Sequence, residues 1–138
     1  MAFSYQPFFP QTIQTIALAN SLTTTISNIA VGGVNGTKIE LLEITSTDTI
    51  DHAVTFAMNV NGALANVANV NIPAGSGATL GTLPVNVFAN NQFGFLPQDP
   101  NGNRYLYIAN ASCGITWVSN SAVASAKSVS IFGQAAQY

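Results

Sequence analysis

The sequence predicts an all-β fold: a single-domain antiparallel β-sandwich of about eight strands, jelly-roll-like, preceded by an extended N-terminal arm. Three observations lead there. Apolar residues recur at every second position in several stretches, turn residues separate those stretches at intervals of about ten residues, and no window carries the period of an amphipathic helix. At 138 residues the chain fits one domain, divided into an arm over residues 1–11 and a sandwich over 12–138. A chain of this size buries roughly 70% of its unfolded surface and needs neither disulfide nor metal to hold a core.

The first candidate strands, Thr12–Ala19, Leu22–Ile29 and Thr37–Thr45, are rich in Thr and Ile, which suit a pleated surface. The next is the most regular. Val54, Phe56, Met58 and Val60 alternate with Ala53, Thr55, Ala57 and Asn59, which puts the larger apolar residues on one face. Residues 63–72 mix periods through Leu64, Val67, Ala68 and Val70 and are read as a strand. Residues 78–88 (ATLGTLPVNVF) also look extended, with Pro84 implying an edge or a break. Arg104, Leu106 and Ile108 alternate with Tyr105, Tyr107 and Ala109, so both faces of that strand carry bulk. Ile115 and Trp117 share a face opposite Thr116 and Val118, and Lys127, Val129 and Ile131 alternate with Ser128, Ser130 and Phe132. Residues 120–126 (NSAVASA) have room for one turn of helix at most. Between these stretches, Asn35-Gly36, Asn61-Gly62 and Asn101-Gly102 suit the positive φ angles of tight turns, and residues 73–77 and 97–100 read as loops. No internal repeat or second domain is visible.

Composition narrows the function. The chain is 48% hydrophobic but only 6% charged, so its polarity comes from Asn, Thr, Ser and Gln. Contact through such a surface costs little ionic desolvation, which favours assembly or a harsh exterior environment. Three cations, Lys38, Arg104 and Lys127, are too few to track a phosphate backbone, so no nucleic-acid partner is expected. No apolar run reaches the ~20 residues of a membrane span, and no membrane partner is expected. The first residues lack the basic and apolar regions of a secretory signal, so export by that route is not expected either. The single Cys113 precludes an internal disulfide and reads as a small buried thiol.

The residues that carry chemistry are sparse. His52 follows Asp51, with Asp48 and Glu43 nearby, but no nucleophile elbow accompanies it, and Asp48–His52 reads as a solvated polar loop before the Val54 strand. One histidine and one cysteine do not make a tetrahedral metal site without carboxylates from afar, so no catalytic residue, cofactor or metal is expected. Asp99-Pro100-Asn101-Gly102-Asn103 opens like a calcium loop, yet the positions needing Gly and an acid hold Arg104 and Asn110, and the segment reads as a turn. Gly75, Gly77 and Gly81 miss the dinucleotide fingerprint and precede Pro84 rather than a helix. Asn35-Gly36-Thr37 and Asn110-Ala111-Ser112 match glycosylation acceptors, as chance provides in so Asn-rich a chain. Trp117, Tyr105 and Tyr107 sit on strands, where core packing is the default and sugar stacking the alternative.

The second half of the chain resembles a group of small structural proteins of tailed bacteriophages. The shared cadence is an I-P-A-G loop at Ile72–Gly75, L-P-V-N at Leu83–Asn86, L-P-x-D-x-N-G-N-R-Y-L-Y at Leu96–Tyr107 and A-K-x-V-x-I at Ala126–Ile131, with fainter agreement from Lys38 to Met58. The resemblance implies a capsid decoration, cement or head-stabilising protein. Such a protein is a sandwich that oligomerises, often as a homotrimer, on the capsid exterior over junctions between major capsid protein subunits. Residues 1–11 have no counterpart in that pattern. They hold four aromatics, Phe3, Tyr5, Phe8 and Phe9, with Pro7 and Pro10 and no charged side chain. Proline removes ladder donors and interrupts helix, so this segment suits an extended arm whose rings fill pockets on a neighbour or on its own sandwich. The arm and the tail Gln134–Tyr138, ending in Tyr138, are the expected partner-binding residues. A virion carbohydrate- or receptor-binding module is the alternative, and a hydrolase the third choice.

Overall fold

The computed structural model describes strand Thr12–Leu18 and residues 22–138. Nine strands follow in order: β1 Thr12–Leu18, β2 Ser27–Val31, β3 Thr37–Ser46, β4 His52–Val60, β5 Ala63–Ile72, β6 Val85–Asn86, β7 Leu106–Ile108, β8 Cys113–Ser119 and β9 Val129–Gln137. All pairings are antiparallel. One sheet has the order β1-β9-β3-β6 with β7 also on β3, and the other has the order β2-β8-β4-β5. These interleaved orders are those of two packed Greek keys, so the expected jelly-roll-like sandwich is the observed one. The arm, residues 1–11, lies outside the described residues.

The inward faces follow the period of two. Ile39, Leu42 and Ile44 of β3 and Val129, Ile131 and Ala135 of β9 meet Val54 and Phe56 of β4, Val70 and Ile72 of β5, and Ile115 and Trp117 of β8. Each buried Val, Leu, Ile or Phe among them contributes roughly 1.5–3 kcal/mol. The step of three between Ile39 and Leu42 would break the alternation. A β-bulge between Ile39 and Leu41 absorbs the extra residue and returns Leu42 to the core. Opposite the bulge stands Gly133 on β9, where a Cβ would run into the carbonyl oxygen of Leu41. Only glycine lets the two backbones approach this closely.

β6 and β7 are two pieces of one jelly-roll strand. β6 pairs with Glu43 and Ile44, β7 pairs with Thr37–Ile39, and both run antiparallel to β3. The residues between them leave the sheet, and they carry Phe88 and Phe93 into the open side of the sandwich. Phe93 opens no long helix but closes a single 3-10 turn, Asn91–Phe93, capped by the Asn90 side chain. Its ring meets Phe56 edge-on at 5.5 Å and Phe88 at 5.7 Å.

Several expectations shift. The strand expected at Leu22–Ile29 begins at Ser27, because Leu22 turns inward as an isolated core residue while residues 23–28 stay exposed. Residues 78–88 are mostly turn, held by hydrogen bonds within the loop, and only Val85–Asn86 after Pro84 joins a sheet. Residues 120–126 form no helical turn; they cross from one sheet to the other with Ala126 at φ 61°. The tail is no free extension. Gln134–Gln137 completes β9, a central strand paired with β1 and β3. Of the Asn-Gly pairs, only Asn61-Gly62 makes a two-residue hairpin, with φ angles of 53° and 91°.

Phe93→Ala is expected to lower unfolding free energy by about 3–5 kcal/mol in urea melts, because it would leave a cavity beside Phe56 and Phe88 at a fully buried position. Gly133→Ala is expected to destabilise as well; an unchanged melt for either variant would contradict this packing.

Candidate functional site

The break between β6 and β7 leaves part of β3 without a strand beside it. Val87 donates to the Leu42 carbonyl at 2.9 Å, and β7 takes over again only at Ile39. The bulged residues Glu40 and Leu41 therefore floor a groove of about 520 Å³. Its wall is the segment 97–105, which doubles back on itself through the Gln98–Arg104 bridge. Asp99 holds the tip of that segment: its Oδ1 accepts from the backbone of Asn101 and Asn103, each at 2.9 Å. This is the turn expected from the sequence. Arg104 pins the base, donating from Nη1 to the carbonyls of Phe88 at 2.8 Å and Asn90 at 2.9 Å.

An aromatic row borders the groove. Tyr105 and Tyr107 point to the same face, 5.8 Å apart and edge-on, and Tyr107 stacks on Tyr138 at 6.1 Å. Lys38 sits 4.6 Å over the Tyr105 ring and 3.0 Å from Glu40. The Glu40 carboxylate, as hydrogen-bond acceptor and as charge, holds the Lys38 ammonium above its ordinary pKa. The Tyr107 phenol donates its proton to the Tyr138 oxygen at 3.3 Å, which raises its pKa. Of the three aromatics singled out in the sequence, Trp117 is buried in the core as expected. Tyr107 is not: it is 54% exposed, and Tyr105 is half-buried. Tyr138, the one expected partner-binding residue among those described, belongs to this row, with its backbone N–H bonded to the Gly36 carbonyl. Phe3, Tyr5, Phe8 and Phe9 lie outside the described residues.

A second feature stands at the end of the sandwich formed by the β3–β4, β5–β6 and β8–β9 connections. Residues 73–84 form a loop fixed by its own hydrogen bonds and tied to β3, with the Ser76 carbonyl accepting from Ser46 and Gly77 donating to Thr82, both at 2.8 Å. This rigid loop presents Leu80 and Leu83 to solvent, 103% and 80% exposed. The opposite end carries Val34 at 84% exposure, together with exposed Val31 and Val60.

The third feature corrects an expectation. Thr49, Ile50 and Asp51 do form an exposed loop, but Asp48 and His52 at its two ends are not solvated. His52 is the first residue of β4 and fully buried, and Asp48 is buried beside it. The signal was present: His52 is in phase with Val54 and Phe56, so the inward face begins two residues earlier than the apolar pattern does. His52 Nε2 lies 2.9 Å from Asp48 Oδ2, and Nδ1 lies 3.2 Å from Ser119 Oγ and 3.1 Å from Ser121 Oγ. Acid, imidazole and hydroxyl are therefore aligned. The Ser119 hydroxyl, however, donates to the Ser121 carbonyl at 2.7 Å, and the Asp48 carboxylate also accepts from the backbone of Thr49 and Ala124. With the ring enclosed, the group ties β4 to the loops on either side of it. Asp51 is anchored separately, accepting from Ala74 and Asn71, which lowers its pKa. Cys113 is buried, and among the described residues no three His, Cys, Asp or Glu side chains converge on a possible metal position. None of the described helices is long and apolar enough to cross a membrane.

The Ala124 backbone N–H and His52 lower the Asp48 pKa from 3.8 to about 2. A depressed carboxylate stabilises the fold above its unfolded pKa, and that contribution is lost as pH falls through the folded value. Urea midpoints are therefore expected to drop between pH 4 and about 2, and the drop should shrink in Asp48→Asn. Equal pH profiles for the two proteins would contradict it. No protein-family model matches the chain, and a search of curated proteins returns no match.

Proposed function

We propose that this chain is a structural virion protein, a capsid decoration or cement protein. In this reading it binds the outside of a phage head and stabilises contacts between major capsid protein subunits. The observation that carries the reading is the display of Leu80 and Leu83 on a loop held by its own hydrogen bonds. Leucines fixed in water, outside any core, are in place for burial against another surface. Val31, Val34 and Val60 at the other end give the sandwich a second apolar tip, and a bridge between neighbours needs two. The charge-poor surface between them supports the same use, since little ionic hydration is lost on contact. The likeness of residues 72–131 to small head proteins of tailed phages supplies the setting.

The mechanism is mechanical. Each subunit, in a homo-oligomer for which a trimer fits the resemblance, makes several modest apolar contacts, and the contacts add through avidity on a repeating shell. β1 starts at Thr12, opposite Gln137 at the end that carries Tyr138 and Val34. In this role the arm supplies further rings for a neighbouring subunit, each worth roughly 1.5–3 kcal/mol when buried.

Co-sedimentation with undecorated heads tests the proposal. Deleting residues 2–10 is expected to leave a folded protein that no longer binds. The double variant Leu80→Ser, Leu83→Ser is expected to keep its melting temperature and lose at least about tenfold in affinity. Normal decoration by both proteins would overturn the reading.

A further inference from the structure

We infer that the groove between β6 and β7 is a binding site for a neutral, hydroxyl-rich oligosaccharide. The inference does not depend on the capsid reading. Its first support is shape. The groove exists because one jelly-roll strand is interrupted and its partner β3 is bulged, and its volume of about 520 Å³ is that of a small-ligand site.

Its second support is charge. The lining holds two cations, Lys38 and Arg104, and two anions, Glu40 and Asp99. Lys38 is paired to Glu40 at 3.0 Å, and Arg104 is committed to two backbone carbonyls. A phosphate, sulfate or acidic ligand would find no free cation here. The lining is also too polar for a lipid.

What the groove does offer is uncommitted hydrogen-bonding capacity. The side chains of Gln98 and Asn103 make no hydrogen bond to any described residue, and the Asn86 amide nitrogen makes none either, its oxygen alone accepting from Ala89. One oxygen each of Glu40 and Asp99 is likewise open. Amides and carboxylates that line one cleft match the paired donors and acceptors of vicinal hydroxyls and exchange their waters for them on binding.

The third support is the aromatic row at the rim. Tyr107 keeps more than half of its surface in water while its phenol is tied to Tyr138, so the ring is oriented before any ligand arrives. Tyr105 lies next to it inside the groove. With Lys38 over the Tyr105 ring and Tyr138 stacked on Tyr107, the exposed part of Tyr107 is the surface on which the C–H face of a sugar ring packs while its hydroxyls reach the amides. A ligand of two or more sugar units can occupy the groove and the row together.

The test is a glycan microarray followed by calorimetric titration of the full chain with maltohexaose, cellohexaose and chitohexaose. At least one neutral glycan is expected to bind. Tyr107→Ala and Asn103→Ala, both at exposed positions, are each expected to weaken that binding at least tenfold. Tyr107→Phe, which keeps the ring, should stay within about threefold, and Leu80→Ser should leave glycan binding unchanged. Failure to bind any neutral glycan, binding of acidic glycans alone, or equal binding by the two alanine variants would overturn the inference. Head binding by the same variants is read separately, so loss of one activity does not imply loss of the other.

Discussion

The packing of Phe93 against Phe56 and Phe88 is the contact on which the groove and the segment around it depend. A jelly roll whose last-but-two strand is interrupted has an open side, and water would reach the core there. Phe93 fills that opening with edge-on contacts to Phe56 from one sheet and to Phe88 from the intervening segment. Edge-on pairs of this kind add about 0.5–1.5 kcal/mol beyond the area they bury. With the ring seated, the segment between β6 and β7 has a fixed inner surface, and Arg104 fixes its far end by bonding Phe88 and Asn90. The groove is the outer side of the same arrangement. It is a by-product of closing the core with a wedge where other sandwiches use a strand.

The two ends of the sandwich are built by contrasting means. At one, the buried Asp48, His52, Ser119 and Ser121 join the β3–β4 loop, β4 and the β8–β9 crossing through hydrogen bonds in which every buried polar atom has a partner. Such a network fixes one arrangement of three loops, because a half-made version would leave a carboxylate or an imidazole buried without a partner. That rigidity is what allows the neighbouring residues 73–84 to hold two leucines out in water. At the other end the turns are short, and Asn61-Gly62 supplies the two positive φ angles that a right-twisted hairpin needs.

Much of the sandwich was legible because its core obeys a local rule. Val54 and Phe56, Ile115 and Trp117, and Val129 and Ile131 announce their inward faces two residues at a time, and those faces are the buried ones. Where a long-range contact overrides the local pattern, the sequence misleads. Leu22 looks like the start of a strand but is an isolated core plug, and ATLGTLPVNVF looks extended but is folded on itself by hydrogen bonds to Gly75 and Thr82. The groove was hidden for the same reason. Nothing local says that Val85–Asn86 and Leu106–Ile108 line up along one partner. The exposure of Tyr107 was hidden too, since a tyrosine on an alternating strand reads the same whether its face meets a second sheet or water.

The charges that the fold does use are few and closely placed. Among the described residues Lys38 pairs with Glu40 beside the groove, and the fully enclosed Asp48 carboxylate is hydrogen-bonded to His52. Added salt weakens attraction between exposed charges separated by more than about 10 Å at 0.1 M, and pairs in contact or out of reach of solvent are screened far less. The described sandwich therefore offers dissolved ions almost nothing to disturb, so the electrostatic part of its stability varies little between dilute fresh water and brine.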